Sequence, residues 1–220
     1  GAGKTTIIKM LSGLISPTSG SIKVLDMDMK KNVFKIKEIL NISPQETAIA
    51  PNLTVKENLE FMAGVYQIKD KDIKINELIR LFKLDEVLNK RAKTLSGGWQ
   101  RRVSIAISLI NDPRILFLDE PTLGLDVIAR KELWKAINGL KGKITIILTT
   151  HYMEEAESLS DRIGIMANGS IVDVGTSKEL INKTSFKLFY LKQILLDEIK
   201  YLDLNKAYHN KDSQEKKEMS

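Results

Sequence analysis

The chain has 220 residues, 34 basic and 28 acidic, for a formal net charge of +6, with 43% hydrophobic residues and no cysteine. That composition supports a buried core and excludes disulfide scaffolds, thiolate metal sites and cysteine nucleophiles; with His151 and His209 as its histidines, it excludes a histidine-rich metal site too. The mild positive charge suits a phosphate-bearing ligand or an anionic membrane surface and does not by itself indicate nucleic acid.

No apolar run reaches the roughly 18 residues needed to span a bilayer. The chain opens at Gly1 without a methionine or a charged-then-apolar leader, so it reads as N-terminally truncated, with neither a signal peptide nor a natural start. Gly1 to Thr6 forms a glycine-rich turn leading into helix-period residues Ile7, Leu11 and Leu14, stopped by Gly13 and the Pro17 turn. Short strands are expected near Ile22 to Leu25 and Leu40 to Ser43. From Pro51 the pattern turns helical: Thr54 and Glu57 make a capping box, followed by Val55, Leu59, Met62 and Tyr66 on one face, then by Ile75, Leu78, Ile79 and Phe82. With the helix after Ser96, which carries Val103, Ala106, Ile107 and Ile110 inward, this predicts an inserted helical subdomain over about residues 51–112. A buried strand over Ile115 to Leu118, a helix with Leu133, Ile137 and Leu140, and a strand over Ile144 to Leu148 follow. Strands separated by helices predict an α/β fold with a mainly parallel sheet flanked by helices. Asn168-Gly169 between two alternating runs predicts a hairpin. Beyond Gly175, Leu188, Leu191, Leu195, Ile199 and Leu202 fall at helical spacing, so residues 181–220 read as a C-terminal helix and a polar tail carrying His209.

Three stretches carry chemistry. Gly1, Ala2, Gly3, Lys4, Thr5 and Thr6 match the second half of a phosphate-binding loop: glycines let backbone N–H groups surround phosphate oxygens, and the helix behind adds its positive end. Lys4 then meets the β and γ phosphates and the Thr5 hydroxyl suits Mg²⁺. The strand from Ile115 delivers two adjacent carboxylates at its end, where open α/β sheets bind ligands. Alternation separates their tasks: Asp119 suits the metal and Glu120 suits polarising an attacking water. Ser96, Gly97 and Gly98 open a helix and make a second anion-binding start. One nucleotide per chain hardly needs both unless the second serves a neighbouring subunit.

With these residues the sequence resembles the nucleotide-binding subunits of ABC transporters over nearly its whole length, to about Leu180. The resemblance implies a P-loop NTPase fold over residues 1–180 that binds and hydrolyses ATP with Mg²⁺. The family signature, usually LSGGQ, reads Leu95, Ser96, Gly97, Gly98, Trp99, Gln100 here; Ser96 to Gln100 would act on a neighbour's nucleotide, with Trp99 either contacting it or simply packing. Gln45 matches the Q-loop glutamine, which reaches the metal and the attacking water, so the implied metal set is Thr5, Gln45 and Asp119. Pro121 to Asp126 matches the D-loop, with Asp126 working across the dimer, and His151 matches the switch histidine that contacts the γ-phosphate. The implied catalytic group is Glu120, His151 and Gln45.

Thr150 to Glu157, with Leu118 through Trp134, looks like the ATPase subunits of ABC-2-type exporters, which move drugs, polysaccharides or ions outward. Such a subunit works as a homodimer on a membrane-spanning permease of another chain, peripheral to the cytoplasmic face of the cell membrane, with no nucleic acid expected. The alternative is a soluble ABC ATPase acting on nucleic acid or ribosomes; neither tandem ATPase halves nor a long coiled-coil insertion is visible in this sequence. A degenerate scaffold is disfavoured by the presence of Lys4, Asp119, Glu120 and His151. Two positions depart from the family: Leu25 stands before Asp26 where relatives often have glycine, and Asn41 replaces a common strand glycine.

Overall fold

In a computed structural model of the protein, which describes residues 2–183, helix α1 (Lys4–Leu11) starts behind Gly3, whose φ of +93° is left-handed and favours glycine. Where one strand is expected over Ile22 to Leu25, two very short ones stand instead, β1 (Lys23–Val24) pairing antiparallel with β2 (Met27–Asp28). Leu25 and Asp26 make the turn at φ +47° and +63°, the left-handed pair that a two-residue hairpin of this kind imposes. The backbone at Leu25 therefore favours glycine, the residue that the family resemblance leads one to expect there. Asp28 then caps α2 (Met29–Ile39) by accepting from the N–H groups of Lys30 at 2.9 Å and Lys31 at 3.3 Å; the sequence pattern had not announced this helix.

Strand β3 (Leu40–Ser43) leads into α3 (Val55–Val65), α4 (Lys71–Phe82), two 3₁₀ turns (Asp85–Val87 and Ala92–Thr94) and α5 (Gly97–Ile107). The capping box forms as read: Thr54 Oγ1 accepts from Glu57 N–H at 3.2 Å and Glu57 Oε2 from Thr54 N–H at 2.7 Å. Strand β4 (Ile115–Asp119), helix α6 (Val127–Asn138), strand β5 (Thr145–Thr149) and helix α7 (Met153–Leu159) follow. The three longer strands form one parallel sheet in the order β3-β4-β5, with Ser43 opposite Leu118 and Asp119 opposite Thr149.

Period-two alternation along β4 divides the core. Ile115 and Phe117 pack on one face with Ile8 of α1 and Ile36 of α2. Leu116 and Leu118 pack on the other, in a cluster that runs continuously through Val55, Leu59, Phe82, Val103 and Leu133, so the helices of residues 51–112 share one apolar core with the sheet. Alternation puts Asp119 on the face of Ile115 and Phe117, which is the face α1 covers.

The chain divides into two compact units, Gly1–Ser160 with Met166–Ser170, and Asp161–Ile165 with the residues from Ile171 on. The hairpin of β6 (Ile163–Ala167) and β7 (Ser170–Gly175) turns at Asn168-Gly169, both at positive φ, as the sequence indicates. Helix α8 (Ser177–Asn182) is capped by Thr176 and Glu179. The expected helix over Leu188 to Leu202, the polar tail with His209, and Gly1 lie outside the described residues. Among the described residues no helix is long and apolar enough to cross a membrane.

Candidate active site

Three chain segments bring the chemistry together: the start of α1, the end of β4 and the loop after β5. The start of α1 has no side-chain cap and no acidic residue in its first turn, so among the described residues no capping carboxylate or hydroxyl takes its leading N–H groups. Gly3 leaves room at this start that a Cβ would narrow, standing 3.2 Å from Met166 Cε. Lys4 and Thr5 sit on the first turn, and Thr6 is exposed beside them.

Asp119 is buried, and its Oδ1 accepts from Thr5 Oγ1 at 3.3 Å and from Thr149 Oγ1 at 2.5 Å. Thr149 is its register partner on β5, so the parallel sheet itself supplies that second hydroxyl. Glu120 follows at φ +49°, a left-handed conformation that turns its side chain out of the strand's alternation. Its backbone N–H donates to Thr149, to the carbonyl at 3.1 Å and to Oγ1 at 3.2 Å. Its Oε2 lies 2.7 Å from His151 Nδ1, and its Oε1 lies 3.5 Å from Lys4 Nζ. With a carboxylate as the acceptor, Nδ1 is the ring nitrogen that carries the hydrogen.

The sequence reading placed Lys4, Thr5, Asp119, Glu120 and His151 at one site, and the structure brings all five together. Thr149 was not singled out: strand pairing alone puts it there, and no motif marks it. Gln45 lies just past β3 with its side chain exposed; among the described residues it takes no part in this hydrogen-bonded cluster, and only its carbonyl is held, by Arg101 Nη1 at 3.3 Å.

The second helix start lies on α5. Ser96 precedes it in extended conformation with no side-chain cap bond, and Ser96 and Gly97 are exposed. Gly98 faces α6, where a Cβ would stand 3.0 Å from Ala129 Cβ, so close that α6 would have to give by a few tenths of an ångström. Trp99 packs against the core with the Arg102 guanidinium 4.5 Å from its ring centre, while the Gln100 carboxamide turns back onto the carbonyls of Ala92 and Leu95, both at 3.2 Å. Asp126 caps α6, accepting from Ile128 and Ala129 N–H at 2.9 Å each.

Arg101, one turn into α5, is 4% exposed. Burial pushes its guanidinium down to about 10, partly offset by the charges of Asp119 and Glu155. Its donors reach backbone carbonyls of three segments: Nε that of Pro121 at 2.9 Å, Nη2 that of Asp119 at 2.7 Å, and Nη1 those of Pro44 and Gln45. Sequence reading gave it no role, because it follows the signature stretch without belonging to a motif of its own.

The donor set fits Mg²⁺. Among the described residues no cluster of three histidine, cysteine or carboxylate groups exists that would hold a metal by protein alone. One carboxylate and one hydroxyl, Asp119 and Thr5, are the sparse, hard oxygen ligation that Mg²⁺ takes when phosphates complete its shell.

A family model described as ABC transporter matches residues 1–123. ABC transporter A family member 4 of Arabidopsis thaliana is 42% identical over 184 residues, 82% of this chain and 20% of that protein. The probable multidrug ABC transporter ATP-binding protein YbhF of Escherichia coli (strain K12) is 40% identical over 183 residues, 82% of this chain and 32% of that protein. The phospholipid-transporting ATPase ABCA3 of Homo sapiens is 39% identical over 185 residues, 83% of this chain and 11% of that protein. The chain thus spans a third or less of the length of these curated relatives. A solved ATP binding subunit of an ABC transporter matches with a TM-score of 0.72 at 28% identity, covering 84% of this chain and 78% of that one. The dimeric post-hydrolysis state of the ATP-binding cassette MJ0796 bound to ADP and Pi matches in fold, with a TM-score of 0.70 at 24% identity, covering 80% and 81%.

Proposed function

The chain belongs to the ABC transporter family and carries its ATPase domain, and from that premise we propose that it binds ATP with Mg²⁺ and hydrolyses it as a dimer to drive a membrane exporter. One observation carries the reading: Lys4, Thr5, Asp119, Glu120 and His151 converge from α1, β4 and the loop after β5. The uncapped N–H groups of α1 and the Lys4 ammonium receive the phosphates. Thr5 and Asp119 would hold Mg²⁺, which when bound would supply neutralising charge for the transferring phosphoryl group. Glu120 accepts the proton of the attacking water, and His151 orients it through the 2.7 Å contact.

Lys4 and Glu120 are paired at 3.5 Å, so phosphate competes with the carboxylate for the ammonium. Phosphate arrival and the release of Glu120 for water become one exchange. Gln45, exposed after β3, acts as the family glutamine does, toward metal and water from one side and a permease from the other.

The exposed Ser96 and Gly97, at a helix start with no side-chain cap, support a signature that serves a second copy's nucleotide, with Asp126 at the same boundary. Multidrug and phospholipid transport are named for two relatives. For this chain we assign a separate membrane-spanning permease as partner, at the cytoplasmic face of the membrane, with outward transport.

The test uses full-length protein. Mg²⁺-dependent ATP hydrolysis is expected, lost in Lys4→Ala. In Ser96→Arg, ATP-driven dimerisation should weaken while monomer affinity for ATP, set by Lys4 and Thr5, stays nearly unchanged. Loss of monomer ATP binding in Ser96→Arg would assign the signature to the same chain's pocket and end the two-subunit mechanism. Co-purification of RNA in place of a hydrophobic membrane subunit would end the exporter reading.

A further inference from the structure

Glu120 stands at left-handed φ +49°, a conformation that a non-glycine residue keeps only where its surroundings impose it. The carbonyls of the residues before and after it in the chain, Asp119 and Pro121, are both held by Arg101, by Nη2 at 2.7 Å and by Nε at 2.9 Å. The peptide joining Asp119 to Glu120 is fixed from both ends: its oxygen accepts from Arg101, and its N–H donates to Thr149. The remaining arm of the guanidinium takes the carbonyls of Pro44 and Gln45, the loop where the exposed glutamine sits.

A neutral side chain could fill this space at less cost, because carbonyl dipoles do not neutralise a buried cation. What only arginine provides is a rigid planar fork whose donors leave in three directions; lysine's donors radiate from one atom. Arg101 also sits one turn behind Gly97 on α5, so the helix whose start faces outward as the signature is bolted to the strand end that presents Glu120.

We infer that Arg101 is a positioning residue that holds Glu120 in its catalytic backbone conformation and ties that conformation to the signature helix and to the loop of Gln45. This rests on the ATPase reading above. Movement of α5 toward or away from a partner's nucleotide pulls directly on the carbonyls flanking Glu120. The signal therefore travels through one side chain and needs no rearrangement of the sheet.

The experiment compares full-length wild type, Arg101→Lys, Arg101→Ala, Glu120→Gln and the double variant Arg101→Lys/Glu120→Gln. Arg101→Lys should lower kcat by about 30-fold or more while KM for ATP stays within about threefold, because Lys4 and Thr5 are untouched. Guanidinium at millimolar concentration should restore part of the rate in Arg101→Ala, and methylammonium should not. In the Glu120→Gln background, Arg101→Lys should change the residual rate little, since groups that act as a unit are non-additive.

An equal fold-loss in both backgrounds would mean that Arg101 acts independently of Glu120 and would overturn the inference. So would an unchanged kcat in Arg101→Lys. Failure of both Arg101→Lys and Arg101→Ala to fold would make Arg101 structural and overturn it as well. If wild type hydrolyses no ATP, or Glu120→Gln keeps the wild-type rate, it is the ATPase reading that fails.

Discussion

Glu120→Gln separates binding from chemistry in opposite directions. The amide keeps the shape of the carboxylate and can still accept from His151 Nδ1, now 2.7 Å from Oε2, but it cannot take a proton from water. Removing general-base catalysis costs about 10²- to 10⁴-fold in rate, or about 3 to 5.5 kcal/mol in the barrier. The same substitution removes the charge that holds Lys4 at 3.5 Å, where the two side chains are 32% and 11% exposed. A partly solvated pair of this kind contributes about 1 kcal/mol or less, so freeing Lys4 for phosphate tightens ATP by up to about fivefold. Loss of the like charge facing the γ-phosphate works in the same sense. The variant should therefore bind ATP at least as tightly as wild type and hydrolyse it at least about a hundredfold more slowly.

Single-turnover hydrolysis with excess protein reads the chemical step, and equilibrium titration with a fluorescent ATP analogue reads the affinity. Two results would refute the reasoning. Hydrolysis within a few-fold of wild type would remove Glu120 as the base. Affinity weakened by tenfold or more would show that the carboxylate supports the phosphate cradle and does not compete with it.

Leu25→Gly should leave stability unchanged or raise it by up to about 1.5 kcal/mol: relief of the left-handed φ of +47° is worth about 1 to 2 kcal/mol, against about 0.5 to 1 kcal/mol for glycine's chain entropy. Thermal unfolding checks this, and a midpoint lowered by more than about 3 °C contradicts it. Acid should destabilise the protein. Glu132 is held below its ordinary 4.5 chiefly by its hydrogen bond from Arg102, and Glu57 and Glu179 are held below theirs by their capping bonds. A carboxylate lowered in the folded state contributes stability above its unfolded value, and that contribution is lost as pH falls through the lowered one. Urea midpoints should therefore fall as pH drops below about 4.5 and onward, with a shallower fall in Glu132→Gln; a flat profile would contradict the assignment.

What the sequence made legible was local. The Thr54 and Glu57 capping box, the Asn168-Gly169 turn and the apolar run of β4 each sit within a few residues, and each formed as read. Helix α2 was missed because its outward face carries Phe34, which is 83% exposed and blurs the period that Met29 and Ile36 set; Asp28 as its cap was the signal available. The β1–β2 hairpin was missed because Leu25-Asp26 lacks the glycine or asparagine that announces such a turn. Thr149 became part of the site through register, which depends on the pairing of strands 30 residues apart.

The Arg101 clamp marks a more general limit. Hydrogen bonds to side chains leave two residue types to find, a donor and an acceptor, and motif reading works on such pairs. Arg101 binds peptide carbonyls of Pro44, Gln45, Asp119 and Pro121, and every residue carries a carbonyl, so the acceptors leave no trace in the sequence. Only the donor is visible, and a buried arginine looks like a surface one until the fold is known. The contacts that align catalytic segments with one another are largely of this kind, because backbone positions are what must be aligned. A site's reactive groups are therefore readable from their residue types, while the parts that set their mutual placement become visible only where the fold shows a charged side chain buried among peptide carbonyls.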